Sequence, residues 1–197
     1  MTLVVLASGV FAQENWNGNR RAAITLNPVP LIVSSLTDSF DMDLGFEYAP
    51  LSVFSLKSGV RFSNMGIWDA PVDDDARSKD RPWMVRSDLA ARWYPQARFV
   101  QDWFFSGSFQ YQIASADYYG LNRKNATLQA LSFFTGVGRK VVFFSTQRAA
   151  FAVEFSGEVG FRIISDIPDT VGQESWVASW FQGIRGPRLG VSIGAAF

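Results

Sequence analysis

Apolar and polar residues alternate along most of this chain, and a period of two marks a β-strand with two unlike faces. Over 40–48, Phe40, Met42, Leu44, Phe46 and Tyr48 share one face, with Asp41, Asp43, Gly45 and Glu47 on the other. The next segment sets Phe54, Leu56, Val60 and Phe62 against Ser55, Lys57, Gly59 and Arg61. Val85, Leu89, Ala91 and Trp93 then alternate with Arg86, Asp88, Ala90 and Arg92. Trp103, Phe105, Phe109, Tyr111 and Ile113 oppose Ser106, Ser108, Gln110 and Gln112. Phe151, Val153, Phe155, Val159, Phe161 and Ile163 oppose Glu154, Ser156, Glu158, Gly160 and Arg162. The last segment pairs Leu189, Val191, Ile193, Ala195 and Phe197 with Arg188, Gly190, Ser192, Gly194 and Ala196. Segments 21–30 and 126–137 mix their faces but favour strand, which makes eight strands in all.

The connections alternate in length. Those at 49–53, 95–101 and 139–147 are short, whereas 31–39, 64–82, 116–125 and 166–175 are longer or more polar. Short turns at one rim and long loops at the other are the layout of an antiparallel up-and-down transmembrane barrel. Tilted strands of about ten residues reach across the hydrocarbon of a bilayer. A sheet in lipid must also close, because an open edge strands its backbone donors.

A soluble lipocalin-like barrel has similar strands but would turn the aromatics inward. Side-chain size decides against it. The apolar face is bulky at nearly every position, while the polar face interleaves charges with Gly, Ala and Ser. An eight-stranded lumen is only wide enough to be filled by side chains, so the small and polar face belongs inside. Aromatics gather near strand ends, at Trp83, Trp93, Tyr94, Trp103, Tyr118, Tyr119, Phe143, Phe144, Trp176 and Trp180, as interfacial girdles do.

Composition narrows the function. Eighteen basic residues balance eighteen acidic ones, so no net field favours nucleic acid. The chain has no Cys and no His, which removes disulfides, thiol chemistry and the commonest general base and metal ligand. Barrel acyltransferases, lipid deacylases and barrel proteases resemble this chain in size or class but rely on a catalytic His. The expectation is a non-enzyme without catalytic residues, cofactor or metal.

The N-terminal run 3–10 is apolar and ends Val10-Phe11-Ala12-Gln13, a pattern suited to signal-peptide cleavage after Ala12. Met1 and Thr2 carry no positive charge, so either the start lies upstream or the run is a first strand. On the signal reading, residues 1–12 are the leader and 13–197 the outer-membrane barrel.

The terminal alternation Leu189, Val191, Ile193, Ala195, Phe197 resembles the assembly signal of bacterial outer-membrane proteins, with Phe197 as its last residue and Ala195 where an aromatic is common. The segment Asp88-Leu89-Ala90-Ala91-Arg92-Trp93-Tyr94-Pro95 resembles a strand and turn of the OmpW/OprG family. That resemblance implies an eight-stranded bacterial outer-membrane barrel, a narrow channel passing small, often hydrophobic, solutes. Its partners would be the lipid bilayer, the outer-membrane assembly machinery and a small-molecule cargo. The alternative is a structural or adhesive surface protein whose loops bind host or matrix ligands.

Inside such a barrel, Asp41, Asp43, Glu47, Asp88, Glu154 and Glu158 would face Lys57, Arg61, Arg86, Arg92, Arg162 and Arg188. Buried charges persist when paired, so the default is an ion-pair lattice that fills the lumen, with Arg61 or Arg86 near Asp43 and Asp88. A polar lining for solutes is the other reading. Pro28, Pro30 and Pro187 fall on the first and last strands, which meet at closure. Proline lacks a ladder donor, so these positions either end a strand or fray the seam into a lateral opening. Segment 64–82 carries Asp73, Asp74, Asp75 and Asp80 beside Arg77, Lys79 and Arg81, without the spacing of a calcium loop. It reads as a solvated surface loop.

Overall fold

The computed structural model describes residues 20–35, 40–64, 83–116, 126–146, 148–166 and 186–197. The leader candidate, the acidic loop and the aromatics Tyr118, Tyr119, Trp176 and Trp180 lie outside the described residues. Eight strands are present: β1 (Ala22–Asn27), β2 (Phe40–Leu51), β3 (Phe54–Asn64), β4 (Trp83–Trp93), β5 (Asp102–Ala116), β6 (Ala126–Ser145), β7 (Ala150–Asp166) and β8 (Gly186–Ala196). Each pairs antiparallel with its sequence neighbours, and β8 returns to β1, so the sheet is a closed up-and-down barrel.

The barrel is inverted relative to a soluble one. Phe46, Leu89, Phe105, Phe109, Phe155 and Phe161 stand outward and exposed, while Glu47, Ser55, Arg92, Ser108, Gln110, Gln112 and Glu154 are buried within. No helix among the described residues is long and apolar enough to cross a membrane.

Two segments depart from the sequence expectation. The first strand stops at Asn27, and Pro28–Ser35 form a helix, α1, instead of continuing the strand to residue 30. The local cause is a capping signal. The Val29 N–H donates to Asn27 Oδ1 at 3.1 Å, and Pro28 takes the first helical position, where its missing N–H costs nothing. The sixth strand runs on through Ser145, well past residue 137, leaving a turn around 146–149.

The lumen also holds aromatics that the small-side-chain expectation left out. Phe104 and Phe134 point inward and are fully buried. Glycines on neighbouring strands make room for them: a Cβ on Gly138 would sit 2.7 Å from Phe104 Cε1, and one on Gly160 would sit 2.5 Å from Phe134 Cε1. Gly160→Ala is therefore expected to destabilise the barrel by about 1–3 kcal/mol through overpacking. Gly107→Ala, whose Cβ would meet only Phe133 at 3.6 Å, is expected to be nearly neutral. Urea midpoints of the two variants folded in lipid vesicles check the contrast.

Candidate functional site

The lumen carries most of the charged and polar side chains, and its two ends differ. At the end carrying the short turns, a floor closes the barrel. Tyr94, Phe99 and Phe104 pack with ring centroids 5.9 Å and 5.8 Å from Tyr94, ringed by Ala23, Ala49, Ala150 and Ala196. The β4–β5 turn delivers Phe99 into this plug, aided by Ala97 in the left-handed region at φ 58°. Tyr94, expected in an outer girdle, is instead buried here. Trp83, Trp93, Trp103, Phe143 and Phe144 do stand outward.

Above the plug lies a charge network. Glu47 accepts from Arg92 at 3.0 Å, Lys140 at 2.7 Å, Tyr94 Oη at 2.6 Å and Ser55 Oγ. Glu154 accepts from Arg92 at 2.6 and 2.8 Å and from Lys57 at 3.2 Å. Lys140 also donates to the Phe99 carbonyl at 3.2 Å and sits 4.4 Å from the Phe99 ring centre, tying the network to the plug. Such charges are tolerated because each carboxylate oxygen is satisfied by a donor.

Further from the floor, Arg61 grips Asp41 with two donors, Arg86 reaches Asp43 at 2.8 Å, and Arg188 bonds both Glu158 and Gln110. Arg61 and Asp43 are register partners across β2 and β3, yet each takes another residue. Asp88 has its ion-pair contact with Arg86 at 4.0 Å. Arg162 lies on the inward face of β7, in register with Ser132. Sequence reading missed Lys140, because it places a short connection at 139–147. The inward parity of Leu128, Ala130, Ser132 and Phe134 extends straight to it.

Between these groups lies a cavity of about 260 Å³. Its wall includes Lys57, Arg61, Arg86, Arg92 and Arg188 with Asp43, Asp88, Glu154 and Glu158. It also includes four consecutive residues of β8, Leu189, Gly190, Val191 and Ser192, together with Leu44 of β2. Consecutive strand residues point to opposite faces. Asp43, Leu44 and Gly45 of the doubly paired β2 also line it consecutively, so the cavity borders strand backbone and spans the seam from Asn27 to Ser192.

The register explains how. β1 pairs with β8 only from Ala23↔Ala196 to Leu26↔Ile193, whereas β7 pairs with β8 as far as Gly160↔Gly186. Among the described residues, Gly186 to Ser192 of β8 have no ladder partner on the β1 side, and α1 packs there against β2 and β8. Pro28 and Pro30 lie in α1, and Pro187 lies in the half-paired stretch of β8. The carboxyl-terminal residue sits at the opposite end: the Arg21 and Ala22 N–H groups donate to the Phe197 carbonyl, and the Phe197 N–H donates to Ala22.

Among solved structures, the chain is similar to the N-terminal β-barrel domain of Pseudomonas aeruginosa OprF. The two are 7% identical with a TM-score of 0.39, over 91% of this chain and 98% of that one. No family model and no curated protein matches the sequence. The description of the barrel rests on its own strand pairing.

Proposed function

We propose that this protein is a bacterial outer-membrane barrel that admits small, apolar-bodied solutes at its loop end and passes them sideways into the bilayer through the β1–β8 seam. The supporting observation is a cavity lined by Asn27 and by residues 189–192 of β8, where the β1–β8 ladder stops, above a turn end filled by Tyr94, Phe99 and Phe104. A molecule in this lumen meets the plug at the turn end. The outward Phe, Leu and Val belt supports the membrane setting, since such a surface in water would drive aggregation. Pro28, Pro30 and Pro187 belong to the seam in this reading, and Phe197 to the signal read by the assembly machinery. The sequence resemblance to OmpW/OprG agrees with the route.

The absence of native cysteine makes a clean test available. Asn27→Cys and Ser192→Cys occupy the first positions past the last ladder pair, and both residues line the cavity. Proteoliposomes with the reduced double variant are expected to take up an apolar dye, and oxidation is expected to stop the uptake. Reduction should then restore it. Uptake that ignores the cross-link would remove the seam from the route.

The sealed floor favours a second reading, a non-conducting scaffold that presents its loops at the cell surface. No uptake by either redox form of the variant, or by the unaltered protein, would select that reading.

A further inference from the structure

The seam route leaves open what chemistry the lumen selects, and the cavity wall carries an answer that rests on that route. We infer that the cavity is a head-group site for a monoanionic amphiphile, whose carboxylate or similar anion meets Arg86 and Arg188 while its alkyl body leaves through the seam past Leu189.

Donor supply supports the anion. A guanidinium has five N–H groups. Arg86 makes one side-chain hydrogen bond, to Asp43 at 2.8 Å, and its buried Nε has no hydrogen-bond partner. Arg188 directs donors from its three nitrogens to Glu158 and Gln110, so two N–H groups are left over. Arg86 lies within electrostatic reach of Asp43 and Asp88 as well as of Arg61 and Arg188. Arg61 is matched by Asp41, and Arg92 by Glu47 and Glu154, which leaves Arg86 and Arg188 as the cavity guanidiniums with N–H groups to spare. Guanidinium pairs suit planar, bidentate carboxylate recognition.

Size and position support the tail. A cavity of about 260 Å³ is smaller than the roughly 300–1,000 Å³ of sites that enclose a whole drug-sized ligand. It holds a head and the first few carbons. Arg188 is followed directly by Leu189, which is 91% exposed on the outer face of the half-paired strand. Polar capture and apolar release are thus one residue apart along β8.

The test uses the full chain in phosphatidylcholine nanodiscs, with laurate, dodecyltrimethylammonium and dodecanol as probes. Laurate is expected to bind, and the Asp43→Asn/Arg86→Gln variant to weaken it by about tenfold or more, since one charge-assisted hydrogen bond is worth at least that. Removing the pair together keeps the lumen balanced, and heat-modifiable gel mobility confirms that the variant folds. Arg188→Lys should retain part of the laurate affinity that Arg188→Gln loses. Equal or tighter binding of dodecyltrimethylammonium would overturn the anion assignment, as would laurate affinity indifferent to both arginines. If laurate fails to bind while cross-link-sensitive uptake of the neutral dye persists, the head-group site fails and the seam route stands. Loss of the cross-link effect removes both.

Discussion

Glu47→Ala is expected to cost about 3–5 kcal/mol of unfolding free energy, the scale for breaking a buried ion pair from one side. Its carboxylate takes donors from Arg92, Lys140, Tyr94 and Ser55 in a site without solvent exposure. Removing it leaves Arg92 and Lys140 with Glu154 as the remaining floor carboxylate, already shared with Lys57. Two cations would then lack compensation next to an aromatic plug. Urea unfolding in lipid vesicles, followed by tryptophan fluorescence, measures the loss. Glu47→Gln combined with Lys140→Met should recover much of it, because the second change removes the uncompensated charge. A single-variant cost below about 1 kcal/mol, the value of an exposed pair, would mean that water reaches the floor.

The second large effect concerns conduction. In planar bilayers the unaltered protein is expected to show no axial current, because the plug and the Glu47–Arg92–Glu154 network block the turn end. Phe99→Ala together with Lys140→Met deletes both the ring and the ammonium group that anchors its backbone. That double variant is expected to open resolvable current steps. Stable steps from the unaltered protein would show that the floor is not a seal. A silent double variant would place the block at Tyr94, Phe104 and the Glu47–Arg92–Glu154 network that remain.

The strands were legible because outward-facing and lumen-facing positions demand opposite chemistry, and that writes period two into β2, β3, β4, β5 and β7. The lumen charges followed from parity alone. Their partners followed only in part: Arg86 does meet Asp43 and Asp88, but Arg61 takes Asp41, a choice made by side-chain reach and strand stagger. Lys140 escaped because the sequence reading ends the sixth strand at residue 137 and makes 139–147 a connection, although β6 simply continues through it to Ser145. Tyr94 and Phe104 escaped for a different reason. An aromatic near a strand end fits a girdle or a plug equally well, and only the glycines facing the lumen distinguish the two. The end of β1 was written locally, in Asn27-Pro28, but the sequence reading carries the strand to residue 30 and begins a connection at 31, which divides a short helix between the two.

The strands also differ in height, and a bilayer would feel it. β1 has six residues and β6 has twenty. At about 3.3 Å per residue and a tilt near 40°, six residues rise only about 15 Å, against an apolar band of about 25 Å. On the β1 side the upper wall is completed by α1, whose Val29 and Ile32 are exposed. Lipids beside the seam therefore meet a lower and less continuous apolar wall than lipids beside β6. They would have to shorten, tilt or let headgroups and water sink toward the lumen. The protein would then carry its own thin patch of membrane, placed where a departing molecule has least hydrocarbon to displace.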